Sequence, residues 1–267
     1  MTIQQQLELE PNYRRNRVII SVVVIALMFW SATTLNFSNF SINGFSIARS
    51  IINGLVNPDW AFLFNATPSG VPYLLIETVA IAFLGTIVGA ILAIPLSFLS
   101  ATNLIPKPIA WIFRTVIMVI RTVPVFIYGL VFVRVAGPGA FAGLLTMSFA
   151  SIGMVSKLYI ESIEDLDIKV LEALDACGCN TFQKIRFGII PQLIPDFAST
   201  VIYRFDMNLR DATVLGLVGA GGIGAPLIFA MNAYRWSEVS SILLGLVVLV
   251  LIVEFFSAKV RTKLVRG

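Results

Sequence analysis

The sequence predicts an all-α, polytopic membrane protein with about six transmembrane helices. Of its 267 residues, 57% are hydrophobic and 13% are charged, whereas soluble domains carry roughly 25% charged residues. Several apolar runs reach the ~20 residues that a helix needs to cross the hydrocarbon core. The chain contains no histidine, so the commonest metal ligand and the usual general base at neutral pH are both missing. We therefore expect no catalytic residue and no metal site.

Apolar runs separated by polar or turn-forming segments define the predicted spans. They are expected at residues 18–35, 73–100, 109–135, 141–159, 193–218 and 239–256. The second run contains Gly85 and Gly89, four residues apart, a spacing that lets a neighbouring helix approach closely. The third run has Pro124 in its middle and contains three arginines, Arg114, Arg121 and Arg134.

The loop between the first two spans, residues 36–72, is expected to be exported because it carries only Arg49 and Asp59 as charges. Within it, Ile47, Ile51 and Leu55 recur at the helical spacing. This pattern fits a short helix on the outer membrane surface. A loop segment packed on other helices is the alternative.

Basic residues at both ends orient the chain. Arg14, Arg15 and Arg17 precede the first span, and four basic residues follow the last span: Lys259, Arg261, Lys263 and Arg266. Because short flanking segments rich in Lys and Arg stay in the cytosol, both termini are predicted to be cytosolic. We expect residues 1–17 to form a cytosolic tail and residues 18–267 a single transmembrane domain.

A polar segment between the fourth and fifth spans, about residues 160–190, predicts a structured cytosolic hairpin. Leu166, Val170 and Leu174 recur near the helical period, which indicates a short amphipathic helix. Gly178 allows the turn that ends such a helix, and Pro191 fits the opening of the next transmembrane helix, where a missing amide hydrogen costs least.

The spacing within this hairpin resembles the EAA loop of permease subunits in ATP-binding-cassette importers. Four positions are in register with that pattern: Glu172, Ala173, Gly178 and Pro191. Leu174 replaces the second alanine, Gly188 stands at the isoleucine position, and Ile190 replaces the leucine. In that family the loop is a coupling helix that docks on the ATPase, so the resemblance implies an ATPase-coupling role for the four matching residues. A helix that merely caps the bundle is the alternative.

The fifth span carries charges that lipid does not tolerate. Four charged side chains facing lipid would cost roughly 10 kcal/mol in total, so both faces of this helix must meet protein or water. Asp206 and Arg210 are four residues apart and predict a structural ion pair. Arg204 and Asn208 share the other face and are candidates for the translocation pathway. Arg121 of the third span is a further pathway candidate, with helix packing as its alternative role.

An outer glycine-rich loop, residues 216–226, follows this span and contains Gly219, Gly221, Gly222 and Gly224. Glycine lets the backbone of such a loop approach other chain segments closely. The loop lacks the Gly-Lys-Ser/Thr ending of a phosphate loop and follows a membrane helix instead of a strand. This pattern argues against a nucleotide site.

The run YRFDMNLRDATVLGLVGAGGIG, residues 203–224, resembles the phosphonate (PhnE-like) permease family of ATP-binding-cassette importers. The runs KLYIESIE at 157–164, RTVP at 121–124 and Pro191-Gln192 extend the likeness to about residues 71–258. The resemblance implies the type I importer permease fold with a cytosolic coupling helix. It also implies a permease subunit that works by alternating access and carries phosphonate or a related small phosphorus oxyanion, such as phosphite or hypophosphite.

The partners that the resemblance implies are a second permease subunit, a cytosolic ATPase dimer and an extracytoplasmic substrate-binding protein. The second permease is expected to form a homodimer, with a related pair as the alternative. ATP and Mg would be bound by the ATPase, whereas this chain would bind no cofactor, catalyse no reaction and contact lipid but no nucleic acid. The expected location is the bacterial inner membrane. A permease for another small solute such as methionine and an ATPase-independent channel or carrier are the alternatives, followed by a membrane enzyme.

Overall fold

The computed structural model describes residues 13–34 and 44–266, which form helices joined by short connections. Internal contacts divide the chain into two units, Met1–Ser50 and Ile51–Gly267. The first unit contains α1 (Tyr13–Thr34), which carries the first predicted span. Residues 1–12 of the predicted cytosolic tail and residues 35–43 of the predicted exported loop lie outside the described residues. The single domain from residue 18 onward stays a prediction.

The rest of the described chain contains eleven further helices and two other helical segments. The helices are α2 (Gly44–Val56), α3 (Trp60–Leu63), α4 (Val71–Ser100), α5 (Lys107–Thr122), α6 (Val125–Ala136), α7 (Ala140–Glu164), α8 (Ile168–Ala176), α9 (Thr181–Gln183), α10 (Ile190–Leu215), α11 (Gly224–Asn232) and α12 (Trp236–Arg266). A π-helical segment, Lys184–Ile189, joins α9 to α10, and a 3-10 turn, Gly216–Val218, follows α10.

Four helical segments among the described residues are long and apolar enough to cross a membrane: Asn16–Thr33, Val71–Ser100, Ala140–Glu164 and Trp236–Lys263. α5 and α6 together make a fifth candidate. α10 has 26 residues and is therefore about 39 Å long at 1.5 Å per residue, which exceeds the ~30 Å hydrocarbon core. Because of its charged residues, α10 does not count among the apolar helices. The six predicted spans thus correspond to four apolar helices, one bent pair and one charged helix.

The third predicted span is not one continuous helix. α5 and α6 meet at an angle of 86°. Val123, which precedes Pro124, has an extended backbone with φ −83° and ψ 123°. A proline ring disfavours the helical conformation in the residue before it, so α5 ends at Thr122 and α6 begins after Pro124. The third predicted span, residues 109–135, is therefore divided into two helices at this proline.

The short helix predicted in the loop after the first span is confirmed as α2. Its last turn packs on the start of α12, because a Cβ atom on Gly54 would lie 2.1 Å from Trp236 Cβ. Ser240 Oγ also donates a hydrogen bond of 2.8 Å to Leu55 O. This end of α2 therefore follows the second alternative, a segment packed on other helices.

α4 and α7 pack closely along their length. A Cβ atom on Gly85 would lie 2.4 Å from Met147 Cβ, and one on Gly89 would lie 2.5 Å from Ser151 Cβ. The close approach predicted from these two glycines is confirmed. α10 lies against α4, α7 and α12, so the charged helix is surrounded by other helices on several sides.

Candidate functional site

A buried polar cluster holds the pathway candidates of α10. Asn208 is fully buried and Arg204 is 5% exposed. Asn208 Nδ2 donates hydrogen bonds to Thr86 Oγ1 on α4 at 2.8 Å and to Ser151 Oγ on α7 at 2.7 Å. Arg204 Nε donates to the same Ser151 hydroxyl at 3.3 Å. The cluster therefore links three helices through side chains only.

The charge of Arg204 is matched by Asp211 on the same helix. Arg204 Nη2 lies 3.8 Å from Asp211 Oδ2. The sequence places Arg204 and Asp211 on one face, because a spacing of seven residues returns to the same side of a helix, but spacing alone does not show that the two side chains pair. Asn208 Oδ1 is buried and accepts no hydrogen bond from the described residues. The cluster thus retains one unused acceptor.

The opposite face of α10 carries the predicted ion pair. Arg210 Nη2 donates to Asp206 Oδ2 at 2.8 Å and lies 3.8 Å from Glu254 Oε2 on α12. These side chains, with Tyr203 and Arg261, line a cavity of about 330 Å³ between α10 and α12. Spacing within one helix predicts the first contact but cannot reveal the residues that α12 contributes. The structural role of the pair stays a prediction.

The third pathway candidate, Arg121, lies on a different helix from the buried polar cluster. It occupies the last turn of α5, before the bend, and is exposed. Its aliphatic stem packs on α7, since a Cβ atom on Gly153 would lie 2.8 Å from Arg121 Cγ. Among the described residues, no hydrogen bond or ion pair joins it to Arg204 or Asn208. The structure therefore brings two of the three candidates together.

The outer glycine-rich loop folds back onto the ends of α4 and α7. Gly219, Gly221 and Gly222 have φ values of 82°, 79° and 69°, which lie in the left-handed region that favours glycine. A Cβ atom on Gly222 would lie 2.7 Å from Thr78 Oγ1, and one on Gly224 would lie 2.2 Å from a backbone oxygen of α10. Side chains at positions 222 and 224 would push the loop away from the helices.

The hairpin that the sequence predicts to be cytosolic contains the coupling candidates of α8. Asp167 caps the N-terminus of this helix by accepting a hydrogen bond of 3.0 Å from Lys169 N. Glu172 and Ala173 are exposed on the helix. Gly178, with φ 75°, follows the C-cap residue and donates its amide hydrogen to Asp175 O at 2.9 Å. Together with the bond from Cys179 N to Leu174 O, this is a Schellman motif, which ends the helix as the glycine predicted.

The second arm of the hairpin runs into α10 without a break. Asn180 and Gln183 exchange two hydrogen bonds of 2.9 Å, which form a capping box at the start of α9. Lys184 pairs with Asp175 of α8 and holds the two arms together. Pro191 is the second residue of α10 and is exposed. Because the π-helical segment precedes α10 directly, Pro191 does not start a new helix but lies where an existing helix continues.

Comparison with known proteins identifies the family. Residues 93–264 match the model of the family described as "Binding-protein-dependent transport system inner membrane component", and this range is more than half of the chain. The chain belongs to this family. The permease is 33% identical over 248 residues to the phosphite transport system permease protein PtxC of Stutzerimonas stutzeri, covering 91% of this chain and 86% of that protein. It is 34% identical over 195 residues to the phosphate-import permease protein PhnE of Mycolicibacterium smegmatis, covering 73% of this chain and 37% of that protein.

A solved structure supports the fold independently. The permease matches a chain of the inward-facing MetNI methionine ABC transporter with a TM-score of 0.63 and 20% identity, covering 73% of this chain and 95% of that one. At this identity the match shows the fold alone. The predicted type I importer permease fold and the resemblance to phosphonate permeases are confirmed, and the permease is a multi-pass membrane protein.

Proposed function

We propose that this permease carries phosphite, phosphonate or a related small phosphorus oxyanion into the cell by alternating access. The observation that carries the proposal is the 33% identity to a phosphite permease along 91% of the chain. The charge of the substrate fits the arginines of the bundle, because a guanidinium group forms two parallel hydrogen bonds with a tetrahedral oxyanion.

The permease works with the partners that its family name and its hairpin suggest. A cytosolic ATPase dimer binds ATP and Mg and docks on α8. Its movement displaces Glu172, Ala173 and the rest of the hairpin. An extracytoplasmic binding protein delivers the oxyanion, and a second copy of the permease completes the pore. Lys259, Arg261 and Lys263 at the end of α12 favour cytosolic termini and a location in the bacterial inner membrane.

The pathway residues of the proposal are Arg204 and Asn208, with Arg121 as a further contact. Arg204 and Asn208 are buried between α4, α7 and α10. An oxyanion therefore reaches the Arg204 guanidinium only when α10 moves relative to α7. Alternating access supplies such a movement, because packed helices switch between discrete arrangements. The half-exposed Asp211 would release Arg204 as the anion takes its place.

Uptake into proteoliposomes tests the proposal. The vesicles contain the permease and its ATPase with ATP inside, and the binding protein with radiolabelled phosphite, phosphonate or methionine outside. We expect ATP-dependent uptake of an oxyanion and its loss in Arg204→Ala and Asn208→Ala, with assembly verified by co-purification. Arg134→Ala, a change of an exposed arginine in the last turn of α6, is the matched control and should retain uptake.

Three results would contradict parts of the proposal. Normal uptake in both α10 variants would remove Arg204 and Asn208 from the pathway. Uptake of methionine but not of oxyanions would replace the substrate class. Transport by the permease alone, without ATPase or ATP, would replace the importer by a channel or carrier. Titration of the purified binding protein with phosphonate, phosphite and phosphate then identifies the oxyanion.

A further inference from the structure

An arginine of α5 joins the ends of two other helices. Arg114 Nη2 contacts Glu164 Oε1, at the last residue of α7, at 2.5 Å. Arg114 Nε donates at the same time to Ser100 O, at the last residue of α4, at 2.9 Å. The side chains of the ion pair are 33% and 28% exposed. A guanidinium group can make both bonds together because its donors are fixed in a plane, whereas an ammonium group is a single point charge.

The turn between α4 and α5 completes this connection. Glu164 Oε1 also accepts hydrogen bonds from Thr102 N at 2.8 Å and Thr102 Oγ1 at 2.5 Å. Asn103 Nδ2 donates to Ile163 O at 2.8 Å. We call these four residues, Arg114, Glu164, Thr102 and Asn103, the Arg114–Glu164 clamp. Five polar bonds of the clamp, several of them charge-assisted and therefore strong, hold α4, α5 and α7 at one point.

The clamp lies at the root of the coupling hairpin. Glu164 precedes Asp167, the N-cap of α8, by three residues. A buried apolar cluster of Ala101, Ile163, Ile189 and Leu193 packs beside the clamp, with Leu166 and Ile185 against it. Leu166 belongs to the chain entering α8, and Ile185 belongs to the chain leaving the hairpin. Both arms of the hairpin are therefore anchored on the structure that the clamp holds.

We propose that the Arg114–Glu164 clamp positions the coupling hairpin and passes its displacement to the α4–α5 turn and to the bent span α5–α6. The inference rests on the proposed function, in which α8 docks on an ATPase. Arg114 stands on the helix that leads to the bend at Val123 and Pro124. A rigid connection at its cytosolic half converts movement of α8 into movement of that bend.

The test compares oxyanion uptake with ATP hydrolysis in the complete complex in proteoliposomes. Arg114→Gln and Glu164→Gln remove the charge pair, and we expect the uptake per ATP hydrolysed to fall at least about fivefold, the lower end of typical coupling between sites. Arg114→Lys keeps the charge without the planar fork and should give an intermediate ratio. A loss of stability alone would lower uptake and hydrolysis together and leave their ratio unchanged.

Two further variants keep the inference testable. Glu161→Gln removes an exposed ion pair with Lys157 of 3.0 Å on the same helix as Glu164, and should leave the ratio unchanged. Asn103→Ala removes a single bond of the clamp and should lower the ratio in a complex that still assembles. Unchanged ratios in the clamp variants beside a coupled wild-type complex would overturn the clamp alone. Failure of Asn103→Ala to assemble would also overturn it, and a wild-type complex without ATP-dependent uptake would overturn the proposed function and the clamp with it.

Discussion

Leu174 of α8 occupies the space that a side chain at position 188 would need. A Cβ atom on Gly188 would lie 2.2 Å from Leu174 Cδ1, whereas carbon atoms in favourable contact are about 3.5–4.0 Å apart. Gly188→Ala therefore requires Leu174 to move by more than about 1 Å. The crowded atom is the end of a flexible, half-buried side chain that can turn aside, so the cost lies at the lower end of the 1–3 kcal/mol typical of overpacking, about 1 kcal/mol. We expect this loss in the free energy of unfolding of the Gly188→Ala permease.

Shortening Leu174 tests the same contact from the other side. Leu174 is half-buried, so Leu174→Ala should cost about 1–2 kcal/mol, less than the 2–5 kcal/mol of a fully buried leucine. In the double variant the new alanine at 188 fills space that the leucine has left. The double variant should therefore be more stable than the sum of the single changes by about 1 kcal/mol, which is within the normal interaction energy for residues in contact.

Chemical unfolding of the purified permease in detergent, followed by circular dichroism, measures the four free energies of the cycle. Leu174→Ala combined with Gly89→Ala is the control, because Gly89 is also a crowded glycine, but its neighbour is Ser151 of α7; that pair should be additive. Additivity in the Leu174 and Gly188 cycle as well would refute the reasoning. The two departures from the EAA pattern would then be unrelated changes and not an exchange of volume between the two arms.

The remaining predictions concern three other positions. Gly222→Ala should destabilise the permease by about 1–3 kcal/mol in thermal unfolding, because φ is 69° and the Cβ atom would lie 2.7 Å from Thr78 Oγ1; an unchanged melting temperature would contradict this. Asp206→Ala leaves Arg210 without its 2.8 Å partner. It should lower the free energy of unfolding by about 1–3 kcal/mol, less than the 3–5 kcal/mol for a fully buried pair. The double variant Asp206→Ala with Arg210→Met should recover most of this loss. Pro124→Ala removes the restriction on the preceding residue, so spin-label distances between α5 and α6 should lengthen; distances equal to wild type would show that packing sets the 86° bend.

Hydropathy predicted the apolar helices well because an uninterrupted run of about 20 apolar residues is typical of a membrane-spanning helix. α4, α7 and α12 therefore contain their predicted ranges, and α12 continues ten residues beyond its predicted end. The bend between α5 and α6 was not predicted, although Pro124 marked its place. The rule for the residue before proline gives the position of a break but not the direction of the next helix, which depends on what packs against it.

The polar contacts of α10 were predictable only within the helix itself. Asp206 and Arg210 are in contact as their spacing indicated, and the seven-residue spacing of Arg204 and Asp211 places this second pair on one face of the helix as well. The hydrogen bond of Asn208 with Thr86 across the bundle could not be predicted from the sequence. A hydroxyl on an apolar helix gives no sequence signal until the neighbouring helix is known.

The junction between the hairpin and α10 connects the coupling candidates with the pathway candidates. Pro191 and Pro195 lack amide hydrogens, so α-helical bonds are missing at the base of α10. A π-helical segment precedes these prolines, and Ile190 N donates to Ile185 O at its end. The side chain of Gln192 also donates from Nε2 to Gly188 O at 2.9 Å. A π segment keeps the helix continuous but replaces its regular bond pattern, and such segments often mark functional sites. In the proposed mechanism, displacement of the hairpin would reach Arg204 and Asn208 along this one continuous helix.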